Sequence, residues 1–346
     1  MGLSIREEGG RGVFSVFGVE NPLMDIIAHV GYDFLERFRK QPGTMHLVDH
    51  DEVARLLKEL PDFRTVPGGS AANTARGISW LAGPAGRRLL QSFPAVARNS
   101  PGPSVPVFNG AVGRDAIGDQ FVQRMEAAGV SASIVRKATP TGTSVILVTP
   151  DGERTMNTFL GACRDFDSAD LDLPKLAASR VLYLTGYLWD TENQKQAAAR
   201  AAEHIRQSRR ECVVAFDLAD SFAVRRYADS FRAWIPGRVD ILFGNRDELA
   251  ILTGSKCDED CVTDAAALAP LVVMKIGEKG CLVGQGGHLD LVPGVPAKVV
   301  DTTGAGDAFA AGFLYGILEG AEPVECARLA NAIASYIVGR EGCDYG

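Results

Sequence analysis

The sequence predicts a doubly wound α/β fold, in which a mostly parallel β-sheet is flanked by helices on both faces and a small β-sheet forms a lid. Two observations predict it. Short apolar runs rich in β-branched residues alternate with amphipathic stretches, and two regions break this alternation with strand and turn patterns. The 346 residues, 46% hydrophobic and 23% charged, are enough to bury a large core. These proportions exclude the disordered and fibrous classes.

The predicted main-sheet strands are apolar runs separated by helix-length segments. In chain order they are residues 13–19, 144–149, 180–186, 212–218, 239–245 and 271–277. Helices are predicted between them, for example over 190–209 and 247–253. Strand and helix alternating at this spacing indicate a parallel sheet that is covered on both faces.

The small sheet is predicted from two extended regions with turn signals, TPTGT at 139–143 and PDGER at 150–154. Ligands bind outside the carboxyl ends of parallel strands, so a sheet that projects there would act as a lid. We therefore predict one domain over residues 1–346, with a discontinuous lid built from about 25–50 and 131–161. Residues 83–106 are rich in Pro, Gly and Ser and predict a surface loop.

Charge and composition exclude several classes of partner. Lys and Arg number 36 against 43 Asp and Glu, so the net charge of -7 disfavours nucleic acid and anionic membranes. No apolar run approaches the roughly 20 residues of a membrane span, and the N-terminus is polar. The seven cysteines contain no C-x-x-C pair and predict reduced thiols. We expect a cytoplasmic protein.

The strongest motif is DTTGAGDAFAAGFLYGIL, residues 301–318, which follows an apolar segment, 297–300, expected to be a strand. Its glycines permit a tight turn, and the first N–H groups of the helix that follows have no partner within the helix. Gly304, Ala305 and Gly306 are therefore predicted to form an anion hole at the positive end of a helix.

Asp307 lies in the first turn of that helix, where a carboxylate is either a cap or a catalytic base. Thr302 or Thr303 suits the cap position better, because each lies earlier in the turn. A carboxylate beside an anion hole can accept the proton of an attacking hydroxyl while the hole stabilises a phosphoryl group. Asp307 is therefore the candidate base.

Other polar residues follow predicted strands or glycine pairs. Asn21 and Asp25 of NPLMD, and Asn73 of GGSAAN, are either turn and cap residues or ligands for substrate hydroxyls. Asn245 of GNRDE is either a helix cap or, with Glu248, part of a site for a divalent cation. KIGEKG, residues 275–280, is either a plain hairpin or a loop that faces a nucleotide.

Together these motifs resemble the ribokinase or PfkB family of carbohydrate and nucleoside kinases. The resemblance runs through NPLMD, GGSAAN, GAVGRDAIGD, GNRDE and DTTGAGDAFAAGF and covers about residues 14–338. It implies a ribokinase-like fold and transfer of the γ-phosphate of ATP, with Mg²⁺, to a primary hydroxyl of a small nucleoside or sugar.

The resemblance also implies a role for each matching position. Asp307 is the base, with Gly304, Ala305 and Gly306 as the anion hole. The residues that bind substrate hydroxyls are Asp25, Gly68, Gly69 and Asn73, with Asn21 close behind. The ATP side comprises Asn245, Lys275, Gly277, Gly280 and Asn331. Glu248 serves Mg²⁺ through water, and Asp301 and Thr303 match residues that hold a monovalent cation, so potassium activation is expected.

Within the family, NPLMD, GERTMNTFLGAC (152–163) and YLTGYLWD (183–190) are most similar to adenosine kinases and bacterial nucleoside kinases. Phe159 and Tyr187 are available to stack on a purine or to fill the core. These similarities make an adenosine-like nucleoside the first choice of acceptor. Cys163 and the long 83–106 segment depart from the pattern, which keeps ribose, fructose or a related sugar as the alternative.

Two further classes of protein fit the sequence less well. A non-catalytic sensor that binds nucleoside or sugar is disfavoured by the intact Asp307, Gly304 and Gly306. A hydride-transfer enzyme is disfavoured, because the chain has no complete G-x-G-x-x-G dinucleotide motif. The chain also has no Walker G-x-x-x-x-G-K-[ST] motif, so ATP would not be held by a P-loop. Whether the chain is a monomer or a homodimer is left open.

Overall fold

A computed structural model describes residues 14–96, 105–208 and 212–345 of the chain. Its main sheet has nine strands in the order β14-β13-β12-β11-β10-β9-β1-β5-β6. The strands are β1 (Phe14–Val19), β5 (Val105–Gly113), β6 (Ser131–Lys137), β9 (Ser179–Thr185), β10 (Val213–Asp217), β11 (Ile241–Asn245), β12 (Leu271–Lys275), β13 (Gly280–Gln285) and β14 (His288–Pro293). From β12 to β6 all neighbours are parallel, and β13 and β14 add an antiparallel hairpin at one edge.

A second sheet of five strands has the order β3-β8-β7-β2-β4. Its strands are β2 (Leu23–His29), β3 (Met45–Leu47), β4 (Arg64–Gly68), β7 (Gly142–Val148) and β8 (Arg154–Phe159). β2 pairs in parallel with β7 and antiparallel with β4, and β7 pairs antiparallel with β8. The chain thus crosses repeatedly between the two sheets.

Twelve α-helices lie in the described part of the chain. They are α1 (Tyr32–Arg37), α2 (His50–Glu59), α3 (Ser70–Ala82), α4 (Pro84–Leu90), α5 (Ala116–Ala127), α6 (Leu173–Ala177), α7 (Glu192–Gln207), α8 (Ser221–Trp234), α9 (Arg246–Thr253), α10 (Asp258–Ala265), α11 (Ala305–Leu318) and α12 (Pro323–Val338). None of them is long and apolar enough to cross a lipid bilayer.

Buried side chains form one core on each face of the main sheet and a third in the small sheet. One core joins the sheet to α3, α5, α11 and α12, and the opposite core joins it to α6 through α10. The third core packs α1 and α2 on β2 and β7, around Phe34 and Leu56. Because helices cover both faces of the main sheet, the doubly wound α/β prediction is confirmed.

The small sheet is confirmed, but its composition differs from the prediction. Residues 131–137 form β6 at the edge of the main sheet, whereas 64–68, which were not assigned to the lid, form β4. β6 is partly exposed along its whole length, a pattern that an edge strand shares with a lid strand. Residues 144–149 were predicted both as a main-sheet strand and as part of the lid; they lie largely in β7 of the small sheet, which is buried on both faces. Periodicity cannot assign such strands to one sheet or the other.

Residues 83–106, predicted to contain a surface loop, begin with helix α4, which has Pro84 at a favoured N-terminal position; residues 97–104 lie outside the described part, so the loop stays a prediction there. The strand predicted before the glycine turn is wrong. Residues 297–300 are not a strand, and Val299 and Val300 are exposed. The glycine turn before α11 is therefore approached by a loop.

Candidate active site

Five parallel strands of the main sheet end side by side and place polar residues along one edge. In sheet order these are Lys275, Asn245, Asp217, Thr185 and, one residue beyond β1, Glu20. Asp217 lies opposite Thr185, and Asn245 opposite Lys275, in adjacent strands. Sequence reasoning missed Asp217, Thr185 and Glu20, although each stands at or next to the end of a predicted strand.

Helix α11 begins at this edge without a side-chain cap. Its N-cap is Gly304, with a left-handed φ of 71°, and not Thr302 or Thr303 as predicted. The Ala305 N–H donates to Thr302 O at 3.2 Å, so helix geometry leaves the N–H groups of Gly306 and Asp307 as the unpartnered donors. Residues 304–307 stay partly exposed while 308–318 are buried. The start of α11 is thus open to a ligand, but of the predicted anion-hole residues Ala305 already uses its N–H, and Asp307 offers one that was not predicted.

Gly304 is required both by conformation and by space. The left-handed region disfavours every residue with a Cβ. A Cβ at this position would also lie 2.5 Å from the Cβ of Cys343. The segment that follows α12 therefore packs directly under the turn.

Two side chains from the first turn of α3 hold the Asp307 carboxylate. Ser70 Oγ donates to Asp307 Oδ1 at 2.6 Å, and Asn73 Nδ2 donates to Oδ2 at 2.8 Å. Arg76 donates to Asn73 Oδ1 at 3.1 Å, which fixes the orientation of the amide. Burial raises the pKa of Asp307, and the bonds from Ser70 and Asn73 partly offset that rise. Asp307 is therefore a positioned carboxylate with increased basicity.

Asp25, on strand β2 of the small sheet, lies close enough to Asp307 to interact with it electrostatically. Burial raises the pKa of its carboxyl to about 7, against the nearby positive charges of Arg154 and Arg76. Gly68 at the end of β4 packs against this carboxyl, and Gly69 is the N-cap of α3, with φ 93°. The predicted residues Asp25, Gly68, Gly69 and Asn73 thus lie together around Asp307.

Asn21 lies behind this group. It is 3% exposed, and its Oδ1 accepts a hydrogen bond from Gln194 Nε2. Gln194 Nε2 also donates to Cys163 O at 2.8 Å, and the Cys163 thiol donates to Pro22 O at 3.3 Å. Asn21 and Cys163 therefore support the chain that leads to Asp25.

Lys275 brings a positive charge close to the start of α11. Its Nζ donates to the two carboxylate oxygens of Asp217 at 2.9 and 3.1 Å, and a Cβ at Gly306 would lie 3.5 Å from that Nζ. Burial acts to lower the pKa of Lys275, but the Asp217 and Glu248 carboxylates raise it above its ordinary value. The ammonium therefore stays protonated beside the α11 N-terminus.

Asn245 and Glu248 form a reciprocal capping box at the start of α9. Asn245 Oδ1 accepts from Glu248 N at 2.9 Å, and Glu248 Oε2 accepts from Asn245 N at 2.8 Å. Burial raises the pKa of Glu248 to about 7. No cluster of three metal-ligating side chains occurs in the described ranges. These oxygens fit Mg²⁺ that is held mainly by nucleotide phosphates and water.

Asp301 and Thr303 form a closed turn whose charge is balanced by arginine. Asp301 Oδ1 accepts the N–H and hydroxyl of Thr303 at 2.9 and 2.8 Å, and Oδ2 accepts Gly342 N–H at 2.7 Å. Arg154 of β8 donates to the same carboxylate at 3.1 Å. A K⁺ ion bound here would be repelled by the Arg154 guanidinium. The donor set therefore does not fit a monovalent cation on this carboxylate.

The remaining predicted residues lie at or beside the ends of strands. Gly277 and Gly280 lie in the turn between β12 and β13, at the same edge as Lys275. Tyr187 is partly exposed in the short helical turn after β9. Asn331 lies beside the same turn: its buried amide donates to Val292 O and Pro293 O of β14, and Pro293 pairs with Gly280. Phe159 packs edge-on against His50, with ring centroids 5.6 Å apart.

Fold and site together define an α/β phosphotransferase, with an uncapped helix N-terminus, a carboxylate and a lysine at the carboxyl edge of a parallel sheet. The family model described as "pfkB family carbohydrate kinase" matches residues 44–346. The chain therefore belongs to the pfkB family, and it is a pfkB-type kinase.

Individual relatives agree on the family but not on one acceptor. The structure resembles adenosine kinase from Sinorhizobium meliloti, with 33% identity, a TM-score of 0.82 and 95% of each chain covered. It also resembles a probable sugar kinase from Rhizobium etli CFN 42, with 32% identity, a TM-score of 0.83, and 96% of this chain and 94% of the other covered. An uncharacterized sugar kinase from Archaeoglobus fulgidus is 30% identical over 68% of this chain and 92% of its own length.

Proposed function

We propose that the protein transfers the γ-phosphoryl group of ATP to the primary hydroxyl of a nucleoside, with an adenosine-like nucleoside as the first choice. The observation that carries this proposal is the Asp307 carboxylate, fixed by Ser70 and Asn73 beside the uncapped N-terminus of α11. A positioned base next to amide donors is the arrangement that phosphoryl transfer to an alcohol requires.

The reaction follows from the positions of these groups. The CH₂OH oxygen of the acceptor approaches Asp307, which takes its proton as the oxygen attacks the γ-phosphorus. The bond between that phosphorus and the bridging oxygen breaks, and ADP leaves. The N–H groups of Gly306 and Asp307 and the ammonium of Lys275 stabilise the charge on the phosphoryl oxygens. Mg²⁺, when bound, would neutralise phosphate charge, and Asn245 and Glu248 would be the residues that hold it through water.

The small sheet contributes the acceptor side. Asp25 and the backbone at Gly68 and Gly69 are available to hold the acceptor's other hydroxyls, beside Asn73. Arg154 joins the small sheet to the turn that precedes α11 through its bond to Asp301. Closure of this sheet over the acceptor would exclude water, which otherwise competes as the phosphoryl acceptor.

The substitution Asp307→Asn tests the proposed base. It should lower kcat by about 10² to 10⁴, the range for a positioned general base, while nucleoside affinity is largely kept. Asn preserves size and can still accept from Ser70, while its NH₂ replaces the oxygen that accepts from Asn73, so a loss of kcat reports the missing proton acceptor together with that one hydrogen bond. Steady-state kinetics and calorimetric binding measure the two quantities, and a variant with a near wild-type kcat would refute the assignment.

A panel of acceptors tests the nucleoside. With ATP and Mg²⁺, we expect kcat/KM for adenosine or a related nucleoside to exceed that for ribose and fructose by at least about 10²-fold, because a site built for a base loses its contacts with a free sugar. The reverse order would make the protein a sugar kinase. Nucleoside binding without phosphorylation of any acceptor in the panel would make it a sensor.

A further inference from the structure

Glu20 is a buried carboxyl group that the proposed transfer does not use. It follows β1 at the site edge and is 3% exposed. One of its oxygens, Oε2, accepts the N–H of Ala71, and the other, Oε1, accepts the Thr185 hydroxyl at 2.9 Å. Burying an ionisable group is unfavourable unless hydrogen bonds compensate for the lost water, so the two contacts of Glu20 are what stabilise it here.

Helix α3 cannot be capped by its own N-cap residue. That residue is Gly69, which has no side chain, and no side-chain cap bond is made there. A Cβ at Gly69 would lie 2.5 Å from Asn21 O, with φ at 93°, so Ser or Asp cannot replace it without strain. Ala71 is the second residue of the helix, and its N–H is one that an N-cap side chain normally satisfies. Glu20, which directly follows β1, supplies that acceptor.

The same helical turn holds the candidate base. Ser70 and Asn73 donate to the two oxygens of the Asp307 carboxylate, and Thr74 Oγ1 donates to Asp307 O at 3.2 Å. Ala71 lies between these residues in sequence. A shift of the Ala71 backbone would therefore move the donors that orient Asp307.

We propose that Glu20 is a positioning residue: it caps α3 in place of a side chain at Gly69 and thereby holds Ser70 and Asn73 on the catalytic carboxylate. This inference rests on the proposed role of Asp307. Glu20 itself acts only through the first turn of α3.

The charges around Glu20 determine which substitution mimics it. The carboxylates of Asp307 and Asp217 face it, and Cys163, Tyr183 and Tyr187 lie close enough to interact electrostatically with it. Burial, opposed by the bond from Ala71, raises the pKa of Glu20 to about 8. The neutral acid therefore predominates at pH 7, and glutamine is a close substitute because its amide oxygen can accept from Ala71 while its NH₂ donates to Thr185.

Three variants separate reach, charge and volume. Glu20→Met keeps the volume and removes the acceptor, and Glu20→Asp keeps a carboxyl but shortens its reach. Both should lower kcat by about 10- to 100-fold, since a small displacement of a catalytic group has effects of that size. Glu20→Gln should stay within about threefold of wild type. Glu319→Gln is the matched control, because Glu319 is also buried but lies about 18 Å along α11 from Asp307.

Two measurements distinguish positioning from a general loss of folded enzyme. In Glu20→Met the acid limb of the kcat–pH profile should move to higher pH, because the bonds from Ser70 and Asn73 lower the pKa of Asp307. A double-mutant cycle with Ser70→Ala should be non-additive, since both changes act on the same hydrogen bond. Partial unfolding lowers the amount of active enzyme but moves neither result. If Glu20→Met fails to fold, Glu20→Asp takes its place in both measurements.

Additive effects of Glu20→Met and Ser70→Ala, together with an unmoved acid limb, would overturn the inference. So would a Glu20→Gln variant as impaired as Glu20→Met. The proposed function is tested separately: if Asp307→Asn turns over at the wild-type rate, the base assignment fails, whereas an inactive Asp307→Asn with additive Glu20 and Ser70 effects rejects only the role of Glu20.

Discussion

Two helices that start at the same edge of the main sheet treat their N-termini in opposite ways. At α9, Asn245 and Glu248 satisfy each other's backbone N–H groups in a capping box. At α11, the N-cap is Gly304, which offers no side chain, and the turn remains partly exposed. Both termini carry the positive end of a helix dipole.

The difference indicates which terminus is free to receive an anion. A capped N-terminus has already used donors that a phosphate would need, whereas the N–H groups at the start of α11 are available. Helix α3 lies between these two cases: its own N-cap residue offers no side chain, but Glu20, which follows β1, caps its N-terminus. Acidic residues near a helix start are therefore not equivalent: Glu248 closes its own helix, and Asp307 stands beside an open one.

After Asp307→Asn, the largest effect is expected from a Cβ at the open N-terminus of α11. Gly304→Ala should lower kcat by about 10²-fold, because the left-handed turn and its contact with Cys343 must shift and the amide donors move with them. Gly254→Ala is the matched control: Gly254 also has a left-handed φ, 83°, but nothing lies within 4 Å of its Cβ position. It should lose stability by about 1 kcal/mol and keep its kcat. Equal kcat values for the two variants would contradict the distinction.

A substitution at the capped N-terminus of α9 should have a smaller effect, and that effect should be on the Mg²⁺ requirement. Glu248→Gln removes the charge but can still accept from Asn245 N, so the helix should stay capped. We expect the Mg²⁺ concentration for half-maximal activity to rise about tenfold, as for other residues that act on a metal through water. Titration of activity with Mg²⁺ at fixed ATP measures it. An unchanged requirement would leave Glu248 with its capping role alone.

The carboxyls at these helix starts also predict a pH dependence of stability. The pKa values of Glu20 and Glu248 are raised by burial to about 8 and about 7, from an ordinary value of 4.5. Between these values the folded state binds more protons than the unfolded state, so the free energy of unfolding should fall as pH rises from about 5 to 8. Each group contributes at most about 1.4 kcal/mol per pH unit. Urea unfolding of the ligand-free protein measures this dependence.

Glu20→Gln provides the internal control for that experiment. It removes one titrating group and should make the fall in stability with pH less steep than in the wild type. A slope unchanged by the substitution would show that Glu20 does not titrate in this range.

The smallest effect is expected for potassium. Because Arg154 already balances Asp301, replacement of K⁺ by Na⁺ at constant ionic strength should change kcat less than about twofold. Initial-rate assays in the two salts measure it. Strong activation by K⁺ would mean that a cation binds near this turn and that the Arg154–Asp301 pair opens.

The sequence predicts those features of the site that depend on local chemistry. Gly304 and Asp307 stand out because a glycine turn, a carboxylate and a buried helix follow one another within a short segment. The main strands are equally visible, since each is a continuous apolar run followed by a helix pattern.

Other features depend on contacts between distant segments. Ser70 and Asp307 are 237 residues apart in sequence, and Glu20 and Ala71 are 51 apart, so neither hydrogen bond has a local signature. The position of β6 depends on which strand it pairs with, and its exposure pattern fits either sheet. Gly69 was predicted as a site residue, but its need for a cap from elsewhere follows only from the close approach of Asn21.

A crystal structure with a non-hydrolysable ATP analogue, Mg²⁺ and adenosine most directly tests the proposed difference between α9 and α11. We predict that the terminal phosphate oxygens lie about 2.7–3.2 Å from the N–H groups of Gly306 and Asp307, with the acceptor's primary hydroxyl within hydrogen-bond distance of the Asp307 carboxylate. A terminal phosphate bound elsewhere, with the start of α11 left empty, would contradict the proposal.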